Sequence, residues 1–267
     1  MPNANEIYKS GVPRREMTIF YVLDTSGSMT GTPIATLNRA MGETINSLKE
    51  LAAKNADARL KIAVLKFNSG CKWVNANGAE YMEDFVWEDL DAGGLTDVGA
   101  ALKELDSKMS HSAFLESMTG QYMPIVIFMS DGYATDDYKT ALTQIRENKW
   151  FKRGVKIGFA LGDDPDVAMI ADVVGNSEAV IKTNDLELFA RLIKFASVTS
   201  SIVNSKPKTN PNGVTGAEII QQGIDIGEIK PDDVVPLGVG TVPPEPIEPG
   251  TTTSGEDPDD PWGEDWD

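Results

Sequence analysis

The amino-acid sequence predicts an α/β fold, a Rossmann-like, doubly wound and mostly parallel sheet with helices on both faces. Three observations support this prediction. Residues 17–23, apart from Thr18, and residues 124–129 form continuous apolar runs, which are typical of strands buried on both faces of a sheet. Segments with helical spacing of apolar residues alternate with strand-like segments, which favours crossover helices between parallel strands. The alternation ends near residue 204, and the remainder is rich in Pro, Gly and acidic residues.

The strands and helices are predicted in chain order from their apolar patterns. A helix begins at Pro33, since the first helical turn leaves unbonded the N–H that proline lacks, and apolar residues then recur at helical spacing to about residue 54. Residues 72–74 and 85–87 are expected to form short strands at a sheet edge. The other predicted strands cover residues 17–23, 59–67, 124–129, 155–161 and 179–181. The other predicted helices cover residues 97–109, 136–150, 166–174 and 184–201.

Charge is unevenly distributed along the 267 residues. The formal net charge is −17, and residues 218–267, with 14 acidic side chains and one lysine, contribute −13 of it. We therefore divide the chain into an N-terminal extension (1–15), one domain (16–204), and a Pro/Gly-rich linker with an acidic tail (205–267). The tail is expected to be disordered because it has little to bury. Scattered Ile and Val at 217–240 leave open that this part docks as extended segments.

Composition also argues against several partners and compartments. The acidic tail would repel phosphate backbones, so we expect no nucleic-acid partner. The sequence has no apolar run long enough to span a membrane, and its start lacks the basic and apolar regions of a secretory signal. Cys71 is the only cysteine, so no intrachain disulfide is possible. We therefore expect a cytoplasmic protein without a membrane partner.

Two apolar strands each end in an aspartate. Asp24 closes the first in "YVLDTSGSMT", and Asp131 follows the second in "MSDG". Open α/β sheets bind ligands in the crevice beyond the C-terminal ends of their strands, which Ser26, Ser28 and the loop residue Thr96 can also reach. For the stretch around Asp24 taken alone, a turn or an acid catalyst remains open.

Together these five side chains offer only oxygen ligands. Hard oxygen donors select hard cations, so Mg²⁺ is expected first and Ca²⁺ or Mn²⁺ next. Three hydroxyls, with waters held by two carboxylates, would leave one of six coordination positions open. Gly27, and the glycines at 93 and 94, permit close approach of the backbone.

These motifs resemble those of von Willebrand factor A domains. "DTSGS", from Asp24 to Ser28, fits the family's D-x-S-x-S motif, and Thr96 in "GGLTDVGAAL" and Asp131 fit its second and third metal motifs in the same order. The resemblance covers about residues 16–204. It implies a metal-ion-dependent adhesion site, usually with Mg²⁺, that an Asp or Glu of a partner protein completes. "YVLDTSGSM" is also similar to the bacterial tellurite-resistance Y-type members, which implies a kinase or phosphatase partner in a stress or defence system.

Two functions of different classes follow from such a site. We expect a metal-dependent protein-binding module and no enzyme; the alternative is a metal-assisted phosphatase or hydrolase. Ser26 stands where an aspartyl-phosphate phosphatase carries its second acid, and the chain has no phosphate-loop motif. His111, the only histidine, lies in a polar loop and is expected to be solvated, while Cys71 is expected to be a small packed residue.

The acidic tail carries Trp262 and Trp266, four residues apart. One interpretation is a solvated terminus. Another is a short recognition peptide, in which tryptophan anchors and acidic residues steer binding. A third is that a tail carboxylate caps the metal site of its own or a neighbouring chain.

Overall fold

A computed structural model of the chain describes residues 14–75, 78–204 and 214–236. Its strands are β1 (Arg15–Asp24), β2 (Ala58–Asn68), β3 (Gly70–Trp73), β4 (Glu80–Tyr81), β5 (Ile125–Ser130), β6 (Val155–Leu161) and β7 (Val180–Thr183). Its α-helices are α1 (Thr32–Lys54), α2 (Val98–Lys108), α3 (Tyr138–Ile145), α4 (Lys149–Arg153), α5 (Val167–Val174), α6 (Leu186–Asn204) and α7 (Gly216–Asp225). The predicted α/β class is confirmed.

The strands form one sheet with the order β3-β2-β1-β5-β6-β7. Strands β2, β1, β5, β6 and β7 run parallel, while β3 and β4 both pair antiparallel with β2. The chain passes outward from β1 to β2 and later returns to β5 on the other side of β1. The strand order therefore changes direction between β1 and β5, and ligands bind such folds beyond the C-terminal ends of these strands.

Strand β1 is buried on both faces, as its apolar run predicts. Alternate residues point to opposite faces of a strand, so Ile19 and Tyr21 join the core cluster that includes α1 and α6. Phe20 and Val22 join the cluster on the other face, with α2, α3 and α5. Packing from both sides fixes the end of β1, and hence Asp24, at the centre of the sheet.

One predicted edge strand forms and the other is wrong. Residues 72–74 fall largely within β3, but residues 85–87 form no strand. Instead β4 pairs with Lys61 and Ile62 of β2, and the chain then turns, with the Phe85 N–H donating to the Tyr81 carbonyl (3.1 Å). Phe85 is buried and Val86 is 71% exposed. The loop thus places Phe85 and the partly buried Trp87 against the core and leaves Val86 in solvent, without pairing with the sheet.

The single helix predicted over 136–150 is two helices, α3 and α4. Asn148 separates them, since its side-chain oxygen accepts hydrogen bonds from the N–H groups of Trp150 and Phe151 (2.9 and 3.4 Å) and caps α4. Its side-chain nitrogen donates to Asp106 Oδ1 (2.9 Å). Periodicity does not reveal this break because both helices place apolar residues in the same core cluster.

Helix α7 lies in the part of the chain that we expected to be linker and disordered tail, or to dock as extended segments. Thr215 and Glu218 form a capping box: Thr215 Oγ1 accepts the Glu218 N–H (3.2 Å), and the Glu218 carboxylate accepts the Thr215 N–H (2.7 Å). A Cβ on Gly216 would lie 1.9 Å from the Lys156 carbonyl oxygen. This glycine does not break the helix; it lets the helix dock against β6.

The chain then continues onto the free edge of β7. Val234 forms an antiparallel bridge with Ile181, and the Val235 N–H donates to the Val180 carbonyl (3.1 Å). We call residues 214–236 the C-terminal strap. Its buried apolar side chains are those of Ile219, Ile220, Ile229 and Val235. The folded unit therefore extends beyond α6 and includes this strap.

Several predictions concern residues outside the described ranges. Residues 1–13 of the predicted N-terminal extension, residues 205–213 of the linker, and residues 237–267 of the acidic tail with Trp262 and Trp266 all lie outside them. Of the helices in the described ranges, none combines the length and the apolar character needed to cross a membrane.

Candidate metal centre

The ends of β1 and β5 are joined through a buried carboxylate. Asp24, the last residue of β1, is fully buried. Its Oδ2 accepts a 2.6 Å hydrogen bond from Ser130 Oγ at the end of β5, and its Oδ1 accepts a 2.8 Å bond from the Ser26 N–H. Both carboxylate oxygens are therefore held, and Asp24 in turn fixes the start of the loop that carries the serines.

A chain of hydroxyls leads from this buried end to the surface. Ser26 Oγ and Ser28 Oγ lie 3.0 Å apart, and Ser28 Oγ donates to Asp131 Oδ1 at 2.8 Å. Ser26 is buried, whereas Ser28 is exposed. The structure thus brings four of the five predicted residues, Asp24, Ser26, Ser28 and Asp131, into one connected group that opens to solvent at Ser28.

The loop that carries Thr96 is attached to the serine loop by its backbone. The Gly27 N–H donates to the Gly94 carbonyl (3.0 Å), and the Gly93 N–H donates to the Thr25 carbonyl (2.8 Å). Gly94 has a φ of +90°, a conformation that glycine adopts without strain. The sequence prediction that these glycines allow close backbone approach agrees with this contact.

Thr96 faces the serines across Gly132. A Cβ added to Gly132 would lie 3.7 Å from Ser28 Oγ and 3.9 Å from Thr96 Oγ1. Both hydroxyls therefore border the same small space, which Gly132 leaves free. All five predicted side chains surround the crevice beyond β1 and β5.

Burial raises the pKa of Asp24 above its usual range, although hydrogen bonds from Ser130 and Ser26 oppose this effect. Burial also raises the pKa of Asp131, against the hydrogen bond from Ser28. Among the described residues, no lysine or arginine forms an ion pair with either carboxylate. A cation at the crevice would supply the missing positive charge.

The residues present fit a hard divalent cation. A serine hydroxyl that donates its proton to Asp131 keeps lone pairs with which to bind a metal, and oxygen donors suit Mg²⁺, Ca²⁺ or Mn²⁺. The described part of the chain holds no cluster of three or more His, Cys, Asp or Glu suited to a metal. A metal in this crevice would therefore depend on the three hydroxyls as much as on the two carboxylates.

Sequence reasoning missed the residues that support the site. Ser130 binds Asp24 directly, and its position in "MSDG", beside Asp131, was a visible signal. Thr135 Oγ1 accepts the Thr96 N–H (3.0 Å) and donates to Asp97 Oδ1 (2.9 Å). No sequence signal marks Thr135, because its role depends on a contact between segments 39 residues apart.

His111 and Cys71 take no part in the crevice. His111 is not simply solvated, as predicted: its ring packs edge-on against Trp150 (centroids 4.9 Å apart), and its Nδ1 lies 3.2 Å from the Leu115 carbonyl. Cys71 is half-buried on β3, and burial raises the pKa of its thiol to about 11, which disfavours the reactive thiolate.

The parallel sheet, its switch point between β1 and β5, and the oxygen-lined crevice define a class of Rossmann-like domains with a candidate metal centre at the sheet's C-terminal edge. The sequence pattern of the von Willebrand factor type A domain matches residues 18–192. The chain therefore belongs to the von Willebrand factor type A family. The search of curated proteins gives no match.

Several solved structures are similar to this chain. Proximal thread matrix protein 1 from the mussel byssus is 17% identical with a TM-score of 0.53, and the match covers 70% of this chain and 48% of that one. A second structure of that protein has a zinc-occupied MIDAS motif; it is 16% identical, with a TM-score of 0.52 and the same coverage. A von Willebrand factor type A protein from Catenulispora acidiphila is 16% identical, with a TM-score of 0.51 and coverage of 70% and 43%. The matched region is less than half of each of these chains, and at this identity the similarity shows the fold.

Proposed function

We propose that this chain is a metal-ion-dependent protein-binding module. Its crevice holds Mg²⁺, and an Asp or Glu from a partner protein completes the coordination. The observation that carries this proposal is the hydroxyl-carboxylate group from Asp24 to Asp131, which is buried at one end, open to solvent at Ser28, and without a cationic partner among the described side chains. Metal binding in the mussel protein that shares the fold supports it.

Each residue has a distinct role in this proposal. Ser26, Ser28 and Thr96 bind the metal directly through neutral hydroxyls, while Asp24 and Asp131 orient those hydroxyls and hold metal-bound waters. Because the direct ligands are neutral, the bound ion would keep most of its charge and attract an anionic ligand. A carboxylate from a partner is the protein group that meets this need.

We further propose that the module is not an enzyme. Each carboxylate of the crevice already accepts a hydrogen bond from a neighbouring serine, Asp24 from Ser130 and Asp131 from Ser28, and a hydrolase would have no general base in the crevice other than these two carboxylates. The only histidine, His111, packs on Trp150. A metal-assisted phosphatase or hydrolase would therefore have to use Asp24 or Asp131 as its base, and this proposal assigns both residues to positioning the metal ligands.

The metal, the partner and the compartment belong to the same proposal. We propose Mg²⁺ as the resident ion, with Ca²⁺ or Mn²⁺ as the other hard cations that the ligands suit. The similarity of "YVLDTSGSM" to the bacterial tellurite-resistance Y-type proteins leads us to propose a kinase or phosphatase partner in the cytoplasm. Trp262 and Trp266, outside the described residues, are proposed as a second recognition element for that partner.

Isothermal titration calorimetry of the full chain with MgCl₂ tests the metal. We expect wild-type protein to bind one Mg²⁺ and the Asp24→Ala variant to bind none, whereas Asp57→Ala, which removes an exposed carboxylate outside the crevice, keeps binding. A synthetic peptide library with one fixed glutamate and random flanking residues then tests the carboxylate. Peptide retention that is equal in Mg²⁺ and in EDTA would contradict the proposal.

A further inference from the structure

An open groove of about 620 Å³ runs along helix α1. One wall is the exposed face of α1 and the other is the segment after β4. Its main lining residues are Arg39, Gly42 and Glu43 on α1, and Trp87, Asp89 and Asp91 on the facing segment. We call it the α1 groove.

We propose that the α1 groove binds a basic segment of the same partner protein whose carboxylate completes the metal site. The inference rests on the proposed function and specifies the partner: an acidic residue that reaches the metal, with lysine or arginine near it in sequence. Three features of the groove support this.

The first feature is continuity with the crevice. Helix α1 begins at Thr32, shortly after the serine loop. On the other wall, Asp91 lies two residues before Gly93, whose N–H donates to the Thr25 carbonyl (2.8 Å). Both walls therefore lead directly into the loops that surround the metal site. A peptide segment that leaves the metal along this side meets the groove within a few residues.

The second feature is charge. Glu43, Asp89 and Asp91 are exposed, and none of them forms an ion pair with a lysine or arginine in the described ranges. Arg39, the one cation among the main lining residues, is paired with Glu187 of α6. The groove is therefore negative. Complementary charge across an interface favours a basic segment and rejects an acidic one.

The third feature is space for a close main-chain contact. Gly42 lies in the interior of α1, where glycine is less favourable than alanine, yet a Cβ there would meet no atom within 4 Å. The fold itself thus does not need this glycine. A bound main chain can therefore approach α1 at Gly42 more closely than at any position with a side chain.

The fixed-glutamate peptide library, applied to the full chain in Mg²⁺, tests this inference. On wild-type protein we expect retained peptides to be enriched in lysine and arginine near the glutamate. The double variant Asp89→Asn/Asp91→Asn is expected to reduce that enrichment about fivefold, the effect of two surface charge pairs. Asp164→Asn/Glu178→Gln removes two exposed charges elsewhere and serves as the matched control, with enrichment unchanged.

A second variant acts through shape instead of charge. Gly42→Gln raises helix propensity and extends a side chain into the groove. The variant is expected to lose the preference for lysine and arginine and to retain Mg²⁺-dependent capture of glutamate. If retained peptides stay enriched in lysine and arginine on both Asp89→Asn/Asp91→Asn and Gly42→Gln, the inference is overturned and the proposed function stays intact. Loss of all Mg²⁺-dependent capture by wild-type protein would overturn the proposed function, and the inference with it.

Discussion

At the residue scale, the candidate metal centre depends on side chains that bind no metal themselves. Ser130 Oγ holds the oxygen of Asp24 that faces β5 at 2.6 Å, and Thr135 orients the loop of Thr96. A buried carboxylate without donors would be costly. The serine loop can therefore keep its shape before any metal arrives, because its central charge is already hydrogen-bonded.

Removal of the Ser130 hydroxyl should destabilise the fold as well as the site. Ser130→Ala leaves one oxygen of the buried Asp24 carboxylate without its donor, which costs about 1.5–3 kcal/mol. Urea denaturation without divalent metal measures this cost. Ser47→Ala removes an exposed hydroxyl bonded within α1 and is expected to change stability by less than about 0.5 kcal/mol. Equal stability of the two variants would contradict the role given to Ser130.

Substitution of Gly132 should affect Mg²⁺ binding without affecting the metal-free fold. The Cβ of Gly132→Ala would make ordinary contacts with Ser28 and Thr96, at 3.7 and 3.9 Å, so the metal-free fold should tolerate it. It would occupy the space between the two hydroxyls, and Mg²⁺ affinity measured by calorimetry should fall at least about tenfold, or 1.4 kcal/mol. Unchanged affinity would show that the metal lies elsewhere.

The raised pKa of the buried Asp24 carboxylate predicts how folding stability changes with pH. The change should have opposite directions without metal and with Mg²⁺. The pKa of Asp24 is raised on folding, so the folded state binds more protons than the unfolded state between the ordinary and the raised value. Metal-free wild-type protein should therefore lose stability relative to Asp24→Asn as pH rises through that range. The stabilisation by Mg²⁺ should instead grow with pH, because the ion needs the ionised carboxylates. Parallel pH profiles of the two proteins in metal-free urea denaturation would contradict this.

At the element scale, the sequence predicts the long, strongly patterned elements and misses those set by tertiary contacts. Strand β6 matches its predicted range, and the apolar runs locate β1 and β5 because strands buried on both faces leave no ambiguity. The break at Asn148 and helix α7 were missed, since both depend on contacts with distant segments: Asp106 for Asn148, and Lys156 for Gly216. The expectation of a linker, or of extended segments, was therefore wrong for α7.

The docking of α7 can be tested with a pair of identical substitutions. Gly216→Ala places a Cβ against the Lys156 carbonyl, whereas Gly42→Ala places one in open space. We expect the first to loosen α7 and the second to stabilise the fold by up to about 1 kcal/mol through helix propensity. Hydrogen exchange of α7 and urea denaturation measure these effects. Protected α7 amides in the Gly216 variant would contradict the close contact.

At the scale of the whole molecule, the strap makes the folded unit longer than the sequence suggested. A chain that ends at residue 236 keeps the strap and serves as the reference for urea denaturation. A chain that ends at residue 204 exposes the cores that the strap covers. Each buried apolar side chain contributes about 1.5–3 kcal/mol, partly offset by the chain entropy regained, so we expect a loss on the order of a few kcal/mol. Equal urea midpoints would show that the strap adds no stability.

The site was more predictable from the sequence than the limits of the folded unit. Asp24 and Asp131 follow strands whose apolar runs fix their place in a sheet, so their convergence follows from topology. The strap and the support from Thr135 involve pairings between distant segments that no local pattern encodes. This is why the five predicted residues surround one crevice, while the boundary near residue 204 omitted a segment that packs on the core.

The pairing of Val234 with Ile181 also affects how separate copies of the chain behave. An exposed strand edge is a template on which another molecule can add its own strand. The strap occupies part of the edge of β7, and at the opposite side of the sheet the outer strands β3 and β4 are only four and two residues long. A chain that ends at residue 204 would therefore lose more than stability. It would expose the hydrogen-bonding edge of β7 to other molecules, and aggregation should rise with protein concentration.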